Sequence, residues 1–158
     1  MSSELPHLDE HGHARMVDVG GKPVTERTAT AVAVVRLSPA TAARIADGTM
    51  PKGDVAAVAR VAGIQAAKRT PELIPLCHQI ALSGVDVAMD VDVDAGEVRI
   101  TVEARAADRT GVEMEALTGA SVAALTIYDM VKGVDRDATI GPIGLEAKSG
   151  GRTGTWRR

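Results

Sequence analysis

Asp129 and Lys132 stand three residues apart near the end of an apolar segment, a spacing that suits acid–base or electrostatic catalysis. The segment, residues 111–135, reads GVEMEALTGASVAALTIYDMVKGVD. Residues three apart on an α-helix lie on one face about one turn apart, so the carboxylate and the ammonium can form an ion pair. Val122 and Leu125 share that face, which favours a cleft or a subunit contact. The alternative is an ordinary surface ion pair, which contributes little to stability.

Two more side chains stand where they could contact an anionic substrate or move a proton. Lys52 lies just before a predicted helix, whose N-terminus favours a bound anion, although a solvated loop lysine is the alternative. The apolar stretch LIPLCHQI, residues 73–80, presents His78 directly after Cys77. Adjacent side chains do not usually face each other, so we do not expect a Cys–His catalytic pair. A hydrogen-bonded core histidine is the alternative to a catalytic one.

Two glutamates at the start of the long segment have structural as well as functional interpretations. Thr110 and Glu113 match the spacing of a capping box, and Glu115 could complement the helix dipole. Glu115 and Asp129 share a helix face, but 14 residues of rise separate them by about 21 Å. If both act in one site, we therefore expect them to come from different chains.

The two ends of the chain differ in composition from the middle. Residues 1–15 are polar, lack the apolar core of a signal peptide, and carry His7, His11 and His13. We expect a mobile tail with solvated histidines, because no ligand set accompanies them at zinc-site spacing. Residues 150–158, GGRTGTWRR, predict a flexible basic tail that either closes over an anionic ligand or another subunit or is inert. A single catalytic domain is expected over residues 16–149.

The first half of that domain predicts one strand followed by two helices. Residues 28–37, TATAVAVVRL, are typical of a strand. Ser38 followed by proline predicts a helix start, and that helix is expected to end near Gly48. Asp54 predicts the N-cap of a second helix, which runs to residue 68 or 69 before Thr70-Pro71 ends it.

Residues 84–105 alternate between valines and charged side chains, which predicts a hairpin with a tight turn at Ala95-Gly96. In that register the facing pairs are Val93–Val98, Val91–Ile100, Met89–Val102, Asp92–Arg99 and Asp86–Arg105. The aspartates then line a solvated sheet face, since the spacing and glycine of a calcium-binding EF-hand are absent.

The remaining elements complete a ferredoxin-like α+β pattern. The long helix has an apolar stripe made of Ala116, Ala120, Ala124, Ile127, Val131 and Val134, widened by Ala123 and Met130. Residues 137–148 predict a last strand. The order gives a βαββαβ sandwich with an antiparallel sheet and an extra helix.

Composition limits the class of protein. The 158 residues suit one domain, and their formal charge of −3 gives no overall basic field for nucleic acid or a membrane surface. No apolar run is long enough to span a bilayer, and the single cysteine fits a reducing, cytoplasmic compartment. With no Phe, one Tyr and one Trp, the core must consist of small aliphatic side chains. We expect an oligomer in which subunit contacts complete the buried surface.

Four long motifs carry a resemblance to a known family. They are MVDVGGKPVTERTA (16–29), KGDVAAVARVAGIQAAKRTPELIPLCH (52–78), the segment 111–135, and EAKSGG (146–151). Together they resemble the cyclic pyranopterin monophosphate synthase family, the accessory protein C of molybdenum-cofactor biosynthesis. The resemblance covers about residues 14–158, and several long motifs in the same order make it specific.

The resemblance implies a fold, an assembly and a reaction. It implies a ferredoxin-like subunit in a homohexamer, a trimer of dimers with active sites at the dimer contact. The implied reaction converts the small molecule (8S)-3′,8-cyclo-7,8-dihydroguanosine 5′-triphosphate to cyclic pyranopterin monophosphate and diphosphate. No tightly bound cofactor or protein-held metal is implied, and the resemblance leaves open whether Mg²⁺ assists.

The resemblance also implies roles for individual residues. The catalytic residues are Asp129, Lys132, Lys52 and His78. The substrate-binding residues are Leu76, Cys77, His78, Glu113, Met114 and Glu115, with Lys68, Lys148 and Arg27 as neighbours of the triphosphate. The pKa of Lys132 should favour its protonated form beside Asp129, which suits an acid or an electrostatic stabiliser.

The chain departs from the family pattern at three places without losing an implied catalytic residue. Gln79 replaces the usual Pro after His78, Val131 replaces the usual Cys before Lys132, and residues 141–142 replace a commonly acidic stretch. Two other classes stay open: a ferredoxin-like module that binds a nucleotide without catalysis, and an inactive paralogue. The presence of the implied catalytic side chains argues against both.

Overall fold

The fold is a five-stranded antiparallel sheet with a long helix packed against its central strand and the two strands beside it. A computed structural model describes residues 8–152 and 154–158. The elements are β1 (Thr25–Arg36), α1 (Pro39–Ala46), α2 (Val55–Lys68), α3 (Thr70–Leu73), β2 (Leu82–Asp92), β3 (Glu97–Asp108), α4 (Glu113–Val131), β4 (Thr139–Ser149) and β5 (Trp156–Arg157). None of the helices in the described ranges is long and apolar enough to span a bilayer.

The strand order confirms the predicted ferredoxin-like α+β arrangement. The sheet runs β2-β3-β1-β4-β5, and every neighbouring pair is antiparallel. α4 packs on β1 and on both of its neighbours, β3 and β4, and pairs with α2. The predicted extra helix is present, because α1 precedes α2 in the first crossover, and the single-turn α3 follows it.

Capping residues set the helix starts that the sequence predicts. The Ser38 hydroxyl accepts a hydrogen bond from the Thr41 amide at 3.2 Å, and Asp54 accepts one from the Ala57 amide at 2.9 Å. Both side chains satisfy amide groups that the first turn leaves without a helical partner. The N-cap of α2 thereby fixes the loop that carries Lys52.

The predicted hairpin is present, but its predicted register is wrong by two residues. Val91 faces Val98, and Asp86 faces Glu103. The turn holds four residues rather than a tight pair, and the Asp92 carboxylate accepts a hydrogen bond from the Ala95 amide at 2.9 Å. Gly96 lies in the left-handed region at φ +64°, where a Cβ would overlap the Leu37 carbonyl oxygen. A two-residue slip keeps every side chain on its predicted face, so alternation could not detect it.

Small side chains bring α2 and α4 close together. A Cβ on Gly119 would lie 3.1 Å from the Gly63 carbonyl oxygen and 3.6 Å from the Ala67 Cβ. The alanines of the predicted stripe, together with Ile127 and Val131, are fully buried. Val134 is 46% exposed and its place in the stripe was wrong, because α4 ends at Val131.

The N-terminal segment forms a local turn, whereas the C-terminal residues pair with a strand of the sheet. Leu8 and Ala14 form an isolated bridge around a turn. At the other end, Trp156 pairs with Lys148 of β4, and the Arg158 amide donates to the Glu146 carbonyl at 2.9 Å. The C-terminal residues therefore add a short strand beside β4.

Candidate active site

Two adjoining clefts open where β3 meets α4. The cationic cleft, of about 440 Å³, is lined by Lys22, Arg27, Arg109, Lys148, Arg152 and Glu113 among others. The histidine cleft, of about 610 Å³, is lined by Leu76, Cys77, His78, Met114 and Glu115 among others. Lys22, Thr110, Gly111, Glu113 and Arg152 line both. One continuous depression thus joins a basic end to a mixed polar and apolar end.

Glu113 pairs with Lys148 across the floor of the cationic cleft. The Lys148 ammonium lies 2.8 Å from the Glu113 carboxylate, and both side chains are about 30% exposed (31% and 28%). The predicted capping box with Thr110 was wrong, because Val112 is the N-cap of α4 and no side chain caps it. A Cβ on Gly111 would overlap the Glu113 carboxylate, so this glycine leaves the room in which Glu113 meets Lys148.

Arg27 is held in the same cleft by backbone carbonyls. Its guanidinium donates to the carbonyls of Asp108 and Arg109, both at 3.3 Å. Gly150 and Gly151 cross over it with φ of +98° and +71°, and a Cβ on Gly151 would overlap the guanidinium. A planar donor group fixed in this way suits a phosphate ligand.

His78 is oriented by a hydrogen bond to the N-terminal segment. Its Nε2 lies 2.6 Å from the Val17 carbonyl oxygen. A carbonyl oxygen only accepts, so Nε2 carries the proton, and the neutral ring has an unprotonated Nδ1. The half-buried His78 is therefore positioned to accept a proton or a hydrogen bond at Nδ1. Gln79, which follows it, is exposed.

Glu115 is buried at the edge of the histidine cleft. It is 2% exposed, and its Oε2 has no hydrogen-bond partner in the described residues. Burial, and then the nearby carboxylates of Glu113 and Asp108, raise its pKa to about 7. Burial also raises the pKa of the Cys77 thiol, with a smaller contribution from Glu115. Glu115 can thus donate or accept a proton near neutral pH.

A second polar atom without a partner belongs to the cationic cleft. Among the described residues, the buried side-chain atoms that lack a hydrogen-bond partner are Thr25 Oγ1 and Glu115 Oε2. Each residue lines one of the two clefts. Buried polar atoms are nearly always satisfied, so this pair is typical of a site that a ligand completes.

The remaining implied catalytic residues form a lysine–aspartate cluster: Lys52, Asp129 and Lys132. The Lys132 ammonium lies 2.7 Å from Asp129 Oδ1. The Lys52 ammonium donates to the Asp129 backbone carbonyl at 2.7 Å and lies 3.2 Å from Oδ2. One carboxylate therefore holds two ammonium groups, and all three side chains are about half exposed.

The charges in this cluster stabilise each other's ionised forms. Hydrogen bonds from Lys132 and then Lys52 hold the pKa of Asp129 below its ordinary value. The hydrogen bond and charge of Asp129 raise the pKa of Lys132. Lys132 is thus a fixed cation, suited to holding an anion or delivering a proton to a stronger base.

The length of α4 separates the cluster from the clefts within one chain. Glu115 lies in the first turn of the helix and Asp129 in the last, about 21 Å apart along the axis. Because α2 runs antiparallel to α4, Lys68 lies exposed at the cleft end, outside the residues that line either cleft. Within one subunit, the two clefts bring together His78 and all the other implied substrate-binding residues except Lys68. The lysine–aspartate cluster lies apart from them.

Sequence reasoning missed three cations of the cationic cleft. Lys22, Arg109 and Arg152 come from loops far apart in the sequence, before β1, after β3 and after β4. Arg109 donates from Nε to the Lys22 carbonyl at 3.2 Å, which ties two of these loops together. These loops meet at one edge of the sheet because β3 and β4 both pair with β1 in antiparallel orientation. The glycines beside Lys22 and Arg152 are the signal that could have suggested an anion site.

Comparison with known proteins identifies the family. The model of the MoaC family matches residues 16–151, which include the lysine–aspartate cluster and every residue that lines the two clefts except Arg152. The chain belongs to the MoaC family. A cyclic pyranopterin monophosphate synthase 2 of Mycobacterium tuberculosis is 57% identical over 157 residues, covering 99% of this chain and 93% of that protein.

Two further relatives carry the same name in other bacteria. The cyclic pyranopterin monophosphate synthase of Roseiflexus is 59% identical over 152 residues, covering 96% of each chain. That of Chloroflexus aurantiacus is 58% identical over 156 residues, covering 99% of this chain and 96% of its own. This MoaC-family chain therefore aligns with enzymes along almost its whole length.

Two of the N-terminal histidines, His11 and His13, are not among the residues that line the clefts. His11 and His13 are exposed, and the His13 ring lies 3.3 Å from the Asp9 carboxylate. His7 is outside the described residues. Within residues 8–152 and 154–158, no group of three or more His, Cys, Asp or Glu is arranged to hold a metal ion.

Proposed function

We propose that this chain converts (8S)-3′,8-cyclo-7,8-dihydroguanosine 5′-triphosphate to cyclic pyranopterin monophosphate and diphosphate in molybdenum-cofactor biosynthesis. The observation that carries the proposal is the continuous double cleft. Five cations at one end face a single carboxylate, Glu113, and the other end holds His78 and the buried Glu115. Such a surface complements a triphosphate joined to a polar ring system.

The two clefts have separate tasks in this reaction. The cationic cleft binds the triphosphate and stabilises the charge that collects on the departing diphosphate. The histidine cleft binds the fused rings, where hydrogen-bonding groups on the base meet Glu115 and the Nδ1 atom of His78. Rearrangement of the purine needs several proton transfers, and the Glu115 carboxyl can exchange protons near neutral pH.

The lysine–aspartate cluster reaches the substrate from a second subunit. About 21 Å of helix prevents Asp129 from meeting a ligand in the clefts of its own chain. Facing subunits with opposed α4 helices would place the cluster of one beside the clefts of the other. We therefore propose a site completed at a dimer contact, within a homohexamer built as a trimer of dimers. Exposed apolar side chains on α2 and α4, including Val58, Val61 and Leu125, suit such contacts.

Turnover of the purified cyclic nucleotide tests the activity. Product is separated by chromatography and diphosphate release is measured, with Lys132→Ala and Asp129→Ala beside the wild type. We expect turnover by the wild type and none by either variant, with unchanged circular dichroism. Arg136→Ala is the matched control, since it removes an exposed cation four residues beyond Lys132. A folded wild type without turnover would refute the enzymatic function.

Mixing inactive subunits tests the shared site. His78→Ala inactivates the cleft and Lys132→Ala inactivates the cluster, so a mixed dimer retains one intact site. Random reassociation should restore about a quarter of wild-type turnover. The control mixture of Asp129→Ala and Lys132→Ala should recover nothing, because both changes lie in the cluster. No recovery in the first mixture, with exchange shown by mass spectrometry, would refute a shared site.

The proposal includes no tightly bound cofactor and a reducing, cytoplasmic setting. Mg²⁺ enters only as a counter-ion of the triphosphate, and turnover in excess chelator measures its contribution. The single cysteine supports the compartment, since no internal disulfide can form.

A further inference from the structure

We infer that Arg152 binds the α-phosphate of the nucleotide, the one phosphate that the cyclic product keeps. This assignment rests on the proposed function and adds a residue to it. It starts from the position of Arg152, which lines both clefts and therefore stands at their junction.

The order of groups in the substrate determines which phosphate reaches the junction. The ring system fills the histidine cleft and the two outer phosphates extend into the cationic cleft. The α-phosphate, which joins them, then lies where the clefts meet. Arg152 and Lys22 are the cations that line both clefts, whereas Arg27, Arg109 and Lys148 line only the cationic cleft.

The hydrogen bonds of the three cations that line only the cationic cleft support the same division. Arg27 donates to two carbonyls, Arg109 donates to the Lys22 carbonyl, and Lys148 pairs with Glu113. Within the described residues, the guanidinium of Arg152 has no partner. It is exposed, whereas Arg27 and Lys148 are partly buried. Arg152 is therefore free to turn towards a ligand that the fixed cations have already bound.

The backbone before Arg152 delivers it to this position. Gly150 and Gly151 both lie in the left-handed region, and a Cβ on Gly150 would overlap the Glu26 carbonyl oxygen. The chain thus leaves β4 and turns tightly over Arg27. After Arg152 it returns to pair Trp156 with Lys148. Pairing of β4 with β5 on the two sides of Arg152 keeps it close to the cleft that it lines.

The cyclisation step explains why a cation is needed there. A hydroxyl oxygen of the substrate attacks the α-phosphorus and loses its proton to a base, and a new P–O bond forms. The bond from the α-phosphorus to the bridging oxygen breaks, and diphosphate leaves with the electron pair. Negative charge shifts from the α-phosphate towards the bridging oxygen during this step. A guanidinium bound to the α-phosphate lies near the bridging oxygen without holding the outer phosphates. Its charge therefore stabilises the transition state more than the bound substrate, while the fixed cations hold diphosphate.

Steady-state kinetics with inorganic diphosphate as inhibitor test the assignment. We expect Arg152→Ala to lower kcat about 100-fold and to leave the diphosphate inhibition constant within about twofold of wild type. Arg27→Ala should instead raise that inhibition constant about tenfold, since a bidentate charge-assisted contact is lost. Arg152→Lys should recover part of kcat, because it keeps the charge without the planar fork. Arg157→Ala, an exposed arginine of β5, is the matched control.

The outcomes separate this inference from the proposed function. An unchanged kcat in Arg152→Ala, or an inhibition constant raised as much as in Arg27→Ala, would overturn the assignment of Arg152 and leave the proposed enzymatic function unaffected. Wild type that turns over but is not inhibited by diphosphate would also overturn it. Wild type without turnover would refute the enzymatic function itself. Circular dichroism and elution volume establish that each variant is folded and assembled.

Discussion

The buried carboxyl of Glu115 predicts that the protein loses stability as the pH rises from about 4.5 to about 7. The pKa of Glu115 rises from 4.5 to about 7 on folding. The folded state therefore binds this proton more tightly than the unfolded state, and the free energy of unfolding falls between about pH 4.5 and pH 7. At 1.36 kcal/mol for each tenfold change, the ionised carboxylate costs up to about 3 kcal/mol at pH 8.

Glu115→Gln replaces the titrating carboxyl with a neutral amide of nearly the same shape. The variant should match the wild type near pH 4.5 and exceed its free energy of unfolding by up to about 3 kcal/mol at pH 8. Urea denaturation followed by circular dichroism, at one fixed protein concentration, measures the difference. Glu26→Gln, on an exposed strand position, is the control and should give no such rise. A wild-type-to-variant difference that stays level from pH 4.5 to pH 8 would refute the reasoning.

Three further predictions concern packing and positioning. Gly119→Leu should lower the free energy of unfolding by about 1–3 kcal/mol, because α2 leaves no room beside it; urea denaturation checks this. Asp135 is buried and accepts the Ser38 amide at 2.7 Å, which lowers its pKa. Asp135→Asn should therefore lower the free energy of unfolding by about 1–3 kcal/mol at neutral pH. In an acid titration this difference should start to shrink below the ordinary aspartate pKa of 3.8 and vanish below the lower pKa of the folded state. Gly111→Ala should displace the Glu113 carboxylate and lower turnover while the melting temperature stays near wild type.

Local signals predicted the elements and their caps, because the groups involved are close in sequence. Ser38 and Asp54 each satisfy an amide three residues away. Alternating valines predicted the positions of β2 and β3 in the sequence, and the helical period of the alanines predicted α4. The register of the hairpin was not predictable in this way, since a slip of two residues preserves both faces. Gly96 fits the longer turn because any side chain there would overlap the carbonyl oxygen of Leu37, 59 residues away in sequence.

The candidate site was predictable only in part, because its geometry depends on residues that are far apart in the sequence. Motif resemblance supplied His78, Glu113 and the lysine–aspartate cluster but not their distances. The sequence around Glu113 matched a capping box equally well. Its ion pair with Lys148 depends on the position of β4, which the sequence around Glu113 does not reveal. The cations at the sheet edge depend on which strands neighbour β1, a long-range property. Sequence spacing along α4 did predict that one chain cannot bring Glu115 and Asp129 together.

The scarcity of aromatic residues has a spectroscopic consequence. Trp156 is the single indole of the chain, and it lies on β5 with its backbone paired to Lys148 rather than in the core. It is 40% exposed, so its emission should respond to solvent and to charge at the neighbouring cleft. The chain therefore carries a native fluorophore beside its basic site. Emission changes would report whether β5 is docked and the cleft occupied, whereas unfolding of the core, against which Tyr128 packs, is followed by circular dichroism.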